Sequence, residues 1–398
     1  MKILVISNRY FPNNAGGAEF VAQNIAESLY KKGHSVSVLT TAEENYMDKI
    51  NGLTVYRIVI ENVYQLGQKK NRFLRLFWHL RDIYNSKTKK HIRDVMEKEK
   101  PQIALCHNLA GFSISVWDEL KRFNIPIVQV LHDQYLLCPK TIMLKKGKIC
   151  KKQCFICRLM RLIHVKKSMQ VSAVIGVSEF MINKIKEYGY FRNVPSFIIY
   201  NAVKIPRLEC KVWDGTGELK IGFIGSLGLY KGIEWLIKEF IKLKINASLT
   251  IAGKCSSEYE IYLKNLSKGD SRIVFNGPMK NTEHFSKIHL SIVPSLCNES
   301  FGLVVVESLA CNVPVIASMV GGIPEIIKEN INGLFCFPEN PNSLSECIMK
   351  FYNNPELLAQ MSVNARESVS EFLNVDEWIE KYEKILELVI GGKDAKTY

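Results

Sequence analysis

The sequence lacks the marks of several protein classes at once. Nowhere in its 398 residues does an uninterrupted apolar run approach the roughly 18–20 residues that span a bilayer. Glycine (24) and proline (13) are too sparse for a collagen-like or low-complexity chain. The opening residues, Met1 to Asn8, hold too short an apolar core for a secretory leader, and no small-residue cleavage site follows. A cytoplasmic chain is therefore expected. Its eleven cysteines are then read in a reducing compartment, where clustered thiols point to metal or chemistry more than to disulfides. The Gly-x-Gly-x-x-Gly fingerprint is missing after the first strand, which argues against a nicotinamide or flavin enzyme. The Gly-Lys-Ser/Thr ending of a P-loop is missing too. No Asp-x-Asp pair stands in a loop suited to a divalent ion, and no side chain stands out as a covalent nucleophile.

What is present is the balance of a folded protein: 47% hydrophobic and 23% charged residues. The length suits two domains of about 150–200 residues. The net charge of +14 is concentrated between Lys69 and Lys167, where basic residues far outnumber acidic ones. Such a stretch attracts anionic lipid head groups, phosphorylated substrates or nucleic acid; an ordinary solvated surface is the plain alternative. Within it, Lys69 to Tyr84 mixes basic and aromatic residues at helical spacing. One reading is an interfacial helix on anionic lipid. The reading adopted is an amphipathic helix that buries Phe73, Phe77 and Leu80 in the first domain, its basic residues still facing a membrane.

Periodicity gives the architecture. Ile3 to Ile6 is a continuous apolar run, as in a strand buried on both faces of a parallel sheet. A loop with Gly16-Gly17 follows. Val21, Ile25 and Leu29 then make the stripe of an amphipathic helix, Gly33 stops it, and Ser35 to Thr40 reads as the next strand. Further strands are expected at 102–106, 127–131 and 173–177. From about Val203 to Leu219 the pattern lapses into Pro, Gly and charge, the mark of a linker. A second series starts at Lys220 to Gly225 and continues at 248–253, 290–294 and 313–317. A long helical pattern, Trp378 to Val389, ends it. The fold class is α/β, with two doubly wound domains whose ligands should bind outside the carboxyl ends of the strands, in the cleft between the domains.

Several small constellations carry chemistry. Gly16-Gly17 lies just before a helix, where a backbone without Cβ can approach an anion and the helix start offers free N–H groups. Lys231-Gly232 sits at a strand-to-helix turn, where the lysine can neutralise a phosphate as a point charge or merely be solvated. Glu307 lies in a strongly apolar helical run, where a carboxylate is costly unless bonded. Glu299 is eight residues earlier, roughly 12 Å away if the whole segment were helical. Glycosidase carboxylates face each other at roughly 5–9.5 Å, so this pair better suits two ends of an elongated ligand. Another glycine pair, Gly321-Gly322, follows. Cys138, Cys150, Cys154 and Cys157 are separated by eleven, three and two residues. Cys154-x-x-Cys157 is metal-ligand spacing, and four thiolates would close a structural zinc site; four free thiols are the alternative. A nucleic-acid binder built on the basic stretch leaves the glycine and glutamate motifs unexplained, and no RNA-binding aromatic signature appears, so no nucleic-acid partner is expected.

Taken together these motifs resemble the retaining glycosyltransferases of the large family four, which have the GT-B fold. The resemblance spans nearly the whole chain. It rests on Gly16-Gly17, His132-Asp133 with Cys138-Pro139, Ile199 to Val203, Lys231-Gly232, the Glu299-to-Glu307 spacing with Phe301-Gly302-Leu303, and Gly321-Gly322. It implies an acceptor-binding Rossmann-like domain at 1–203, a linker at 204–218, and a nucleotide-sugar-binding domain at 219–374. The last helix, 375–398, would cross back to the first domain. It implies that Glu307 holds the ribose of a UDP- or GDP-sugar, and that Glu299 and the backbone around Phe301, Gly302 and Leu303 hold the donor sugar. Gly16, Gly17, Ser226 and Lys231 would face the diphosphate, and His132 would reach the transferring sugar. The acceptor would be a glycan or a polyprenyl-linked sugar in surface polysaccharide synthesis, at the inner face of the membrane, with no metal required for catalysis. A sugar-nucleotide epimerase on the same fold is the second reading. Two departures stand out: Ser226 fills a position where the family usually has Arg, and Ser300 replaces the usual Gly beside Glu299.

Overall fold

The computed structural model describes residues 1–13, 16–64, 72–145, 147–208 and 212–392. The expected contributions of Lys69 and Lys70, and part of the expected linker at 209–211, lie outside them. The chain divides into two compact units: residues 1–143, 150–200 and 376–398, and residues 144–149 and 201–375.

The first unit is built on an eight-stranded sheet. Its strands are β1 (Lys2–Ile6), β2 (Ser35–Ala42), β3 (Tyr46–Ile50), β4 (Leu53–Val59), β5 (Ile103–Cys106) and β6 (Ile127–Leu131). A short hairpin that groups with the second unit, β7 (Leu144–Lys145) and β8 (Lys148–Ile149), precedes in sequence the last two strands of this sheet, β9 (Ala173–Gly176) and β10 (Ser196–Ile198). The order across the sheet is β10-β9-β6-β5-β1-β2-β4-β3, parallel except for β3. The central strands β5, β6 and β9 are buried along their whole length, and β1 at all but Lys2. That is why they read as near-continuous apolar runs, with Gln129 of β6 the polar exception.

Helix α1 (Gly17–Lys31) buries Val21, Ala22, Ile25, Ala26 and Leu29, and Gly33 follows it at φ 88°. The other helices here are α2 (Arg72–Arg81), α3 (Lys89–Glu99), α4 (Ser115–Arg122), α5 (Phe155–Lys167) and α6 (Glu179–Glu187). The first unit also includes most of the final helix, whose Glu383 pairs with Lys32 and His34.

The orientation of α2 corrects the sequence reading. Phe73, Phe77 and Leu80 point to solvent, and Trp78 is the side chain that packs inward, its indole N–H donating to the Tyr64 carbonyl. The apolar period identifies a stripe; it does not say which side of the helix meets water.

The second unit has a six-stranded parallel sheet: β11 (Leu219–Ile224), β12 (Ala247–Ala252), β13 (Ile273–Gly277), β14 (Leu290–Val293), β15 (Val315–Ser318) and β16 (Gly333–Cys336). The order is β13-β12-β11-β14-β15-β16, which within this unit is 3-2-1-4-5-6. This is the Rossmann order, and it reverses between β11 and β14. Around it lie α7 (Ile233–Lys242), α8 (Ser257–Leu266), α9 (Asn281–Phe285), α10 (Leu303–Ala310), α11 (Ser343–Tyr352) and α12 (Pro355–Ala365); α13 (Val375–Ile390) closes the chain. Ile221, Phe223, Leu249, Ile251 and Ile292 from the strands pack with Ile233, Leu236, Ile237 and Phe240 of α7 in one apolar core. Both units are Rossmann-like α/β domains.

Candidate active site

In the second unit the candidate residues gather where the strand order reverses. The chain leaves β11 through Gly225 and Ser226, makes a short helical turn at Leu229–Lys231, and enters α7 at Gly232. Gly232 has φ 74°, and a Cβ there would lie 1.8 Å from the Pro294 carbonyl oxygen. Only glycine permits this approach between the loops after β11 and β14. Across it, Lys231 Nζ donates to Glu299 Oε1 at 2.6 Å, and Ser295 Oγ donates to the same oxygen at 2.5 Å. Burial works against the Lys231 charge, but the Glu299 carboxylate outweighs it and holds the amine above its ordinary pKa. Burial would likewise raise Glu299; Lys231 and the Ser295 hydroxyl bring it below the ordinary value. The result is an ion pair with both charges retained.

The second glycine pair has a similar purpose. A Cβ on Gly321, at φ 62°, would lie 2.0 Å from the Glu299 carbonyl oxygen, and the Gly322 N–H donates to that oxygen at 2.8 Å. The turn after β15 thus clamps the Glu299 backbone. Helix α10 starts only at Leu303, after Gly302, so Glu299 stands in the preceding loop and the 299–307 segment is not one helix. Phe301 is buried edge-on against Phe372 at 5.4 Å. Glu307 lies on the second turn of α10, where burial pushes its carboxyl up to about 7 against a hydrogen bond from Asn281 Nδ2 at 2.6 Å. Ser226, where the resembling family has Arg, pairs its hydroxyl with Tyr230 at 2.9 Å.

In the first unit Gly16 caps the start of α1, followed by Gly17, with the Glu19 carboxylate beside it. His132 follows β6. It is buried, and its Nε2 meets Nδ1 of His107, which follows β5, at 2.7 Å; the rings stack at 5.0 Å. Burial lowers His132 to about 3, and burial together with its neighbour puts His107 well below the ordinary value. Both rings are neutral, so one donates to the other. They line a small concavity with Asn108, Asp133 and Tyr135. Burial raises Asp133 to about 6, partly countered by the Tyr135 N–H.

His107, Ser295, Asn281 and Glu19 escaped the sequence reading. His107 and Ser295 were findable, because each stands one or two residues past a buried parallel strand. Asn281 and Glu19 leave no signal without the fold.

Among the cysteines, Cys157 donates to Cys138 with sulfurs 3.9 Å apart, and the Cys154 sulfur accepts the Cys157 N–H at 3.5 Å, capping α5. The Cys157 thiol draws Cys138 down to about 6. Among the described residues no three His, Cys, Asp or Glu side chains are grouped as metal ligands, so the zinc reading rests on the spacing alone.

Comparison with known proteins adds the family. A model of "Glycosyltransferase Family 4" matches residues 15–207, and one of "Glycosyl transferases group 1" matches residues 213–368. An uncharacterised 42.6 kDa protein in the cps region of Klebsiella pneumoniae is 30% identical over 334 residues, covering 82% of this chain and 88% of its own. Among solved structures, sucrose-phosphate synthase from Thermosynechococcus elongatus superposes with a TM-score of 0.80 at 17% identity, over 98% of this chain and 99% of that one. Anabaena HepE, in complex with UDP and glucose, gives 0.73 at 18% identity, over 97% and 99%. The matched models are transferase models, which favours transfer over the epimerase reading. The two models match in sequence one after the other, each on its own Rossmann-like domain, and the Klebsiella relative aligns over most of its length: the chain belongs to the group 1 glycosyltransferases.

Proposed function

We propose that this glycosyltransferase moves a sugar from a UDP- or GDP-sugar to a glycan or polyprenyl-linked acceptor, with retention of configuration, in the synthesis of a surface polysaccharide. The observation that carries the reading is the Lys231–Glu299 pair at the strand-order reversal of the second unit. In doubly wound sheets this is where nucleotides bind. Lys231 is the cation for the diphosphate, where negative charge grows as the leaving group departs. Glu299, released from it, accepts hydrogen bonds from the sugar hydroxyls. Glu307 holds the ribose, and the N-terminus of α10 faces the donor with its unpaired N–H groups. The bond from the sugar C1 to the phosphate oxygen breaks as the acceptor oxygen attacks on the same face, and the acceptor proton passes to the departing phosphate. Gly16-Gly17 also faces the diphosphate in this reading, and His132, paired with the neutral His107, reaches the transferring sugar. No metal is needed for the leaving group, since Lys231 supplies the charge.

The Klebsiella relative's place in a cps region supports a capsule-like product, and the UDP and glucose bound by the Anabaena protein of the same fold support a nucleotide-sugar donor. The test is calorimetry against a panel of UDP- and GDP-sugars, followed by proton NMR of the product anomer. One donor should bind at micromolar to millimolar concentration, and Glu299→Gln should weaken that donor while sparing the bare nucleotide. An inverted anomer, or equal loss of bare nucleotide in Glu299→Gln and Glu307→Gln, overturns the assignment.

A further inference from the structure

Two helices of the first unit are amphipathic the wrong way round. On α2, Phe73, Leu74, Leu76, Phe77 and Leu80 face solvent; Phe73 is 77% exposed. On α5, Phe155, Ile156, Leu159, Leu162 and Ile163 do the same, with Phe155 at 80%. The positions 155, 156, 159, 162 and 163 fall on one helical face. The opposite face of α5 is buried, and two of its three buried residues are polar. Arg161 lies 4.4 Å over the Tyr135 ring with Nη1 2.9 Å from His164 Nε2; Met160 is the third. A helix of a water-soluble surface normally turns its apolar stripe inward. Single exposed apolar residues need no explanation, but ten on two helices do.

Tyr135 joins the two helices: Arg161 of α5 lies over its ring, and its hydroxyl donates to the carbonyl of Asp82, the residue after α2, at 3.2 Å. The start of α5 is pinned by the thiol contacts of Cys154, Cys157 and Cys138, which fixes Phe155 and Ile156 in their outward position. The exposed charges on the two helices and just before α5 are basic, Arg75, Lys151, Lys152, Arg158 and Lys166, and neither helix contains an acidic residue; at the end of α5, Lys167 pairs with Asp118 of α4. No described helix is long and apolar enough to cross a membrane.

We propose that α2 and α5 together form a bilayer-insertion face. Phe73, Phe77, Phe155 and Ile156 enter the interfacial layer of an anionic membrane while the surrounding lysines and arginines meet lipid phosphates. A protein surface covering the apolar residues would have to supply carboxylates around its rim. Anionic lipid meets both requirements, and aromatic side chains with basic neighbours are the composition of interfacial helices. Both helices take part through insertion, not only through long-range attraction. The inference is independent of the donor assignment, and it gives a polyprenyl-linked acceptor a surface on which to be met.

Flotation of the full-length protein with phosphatidylcholine vesicles, with and without phosphatidylglycerol, tests this without any sugar nucleotide. Binding should require the anionic lipid. A measurable fraction should persist at roughly 0.5 M salt, where screening reaches a few ångströms. The triple variant Phe77→Ser, Phe155→Ser, Ile156→Ser should lose the salt-resistant fraction at least tenfold with its thermal midpoint unchanged. Arg158→Gln with Lys166→Gln should remove the preference for anionic lipid. A Phe155→Trp protein should blue-shift its emission on anionic vesicles alone. Absence of vesicle binding, equal binding to neutral vesicles, or a concentration-dependent dimer that the triple variant abolishes in place of vesicle binding would overturn the proposal.

Discussion

Each unit puts its candidate residues just past the carboxyl ends of a parallel sheet, yet the two sites differ in charge. The second holds opposite charges in contact, Lys231 on Glu299, with Ser295 completing the oxygen. The first holds two stacked imidazoles that burial keeps neutral, beside an Asp133 that burial raises to about 6. One topology therefore provides a fixed cation in one case and uncharged donors and acceptors in the other. A cation is what a departing diphosphate needs, and neutral groups suit hydroxyl-bearing partners. The loops bear the chemistry; the sheets only aim them.

If the charged site works as proposed, removing the cation has the largest effect. Lys231→Ala should lower kcat about 10²- to 10³-fold, equivalent to roughly 3–4 kcal/mol, because charge on the leaving group grows in the transition state. KM should change much less. Nucleoside-diphosphate release measures it. A Lys231→Ala protein with altered KM and unchanged kcat would mean that the pair serves ground-state binding only.

Next is the clamp behind Glu299. Gly321→Ala forces a left-handed backbone and places a methyl 2.0 Å from a carbonyl oxygen, so a loss of about 2–4 kcal/mol is expected. Gly217 gives the control: its φ is 72° but nothing lies within 4 Å of its Cβ position, so Gly217→Ala should cost only the backbone strain, about 1 kcal/mol. Thermal melts compare the two. Equal losses would show that the Gly321 turn does not hold Glu299 in place.

The sheet centres were legible because β1, β5, β6 and β9 are apolar at nearly every residue. Strand β3 was not: Tyr46-Met47-Asp48-Lys49-Ile50 is mostly exposed and mixed in polarity. Its hairpin signal, Asn51-Gly52 with both φ positive, stood in the sequence all the same. At the site, Lys231 and Glu299 could be named from their surroundings. Their contact could not, since 68 residues separate them and only the adjacency of β11 and β14 joins their loops. Asn281 reaches Glu307 from a different helix, again a tertiary fact. The face of α2 was misjudged because periodicity carries no sign.

A third, smaller effect concerns Glu307. Its folded pKa of about 7 lies above the ordinary 4.5. The folded state therefore binds the extra proton between those values, and the stability it contributes is full below about pH 4.5 and lost as pH rises through 7. Glu307→Gln should melt at the same temperature as the parent at pH 5 and a few degrees higher at pH 8. For binding the sign is opposite. A ribose-holding carboxylate should bind nucleotide more weakly as pH falls from 8 to 6, and the glutamine variant should be weaker and flat. A parent protein whose nucleotide affinity ignores this window would remove Glu307 from the ribose.

The smallest effect tests the position where the charged site departs from the family it resembles. Ser226 offers a hydroxyl, paired with Tyr230 at 2.9 Å, where an arginine would present two parallel N–H groups to a phosphate. In the proposed reading Lys231 is the cation for the leaving group, and a second one should add to it. Ser226→Arg is expected to raise donor turnover up to about tenfold, near 1.4 kcal/mol, since Ser226 is exposed and the new side chain has room. The gain should vanish in the Lys231→Ala background if both cations must grip one diphosphate, and survive there if each acts alone. A Ser226→Arg protein that turns over no faster, and binds bare nucleotide no more tightly, would place the diphosphate away from the loop after β11. The contrast between a charged unit and a neutral one would then describe packing rather than chemistry.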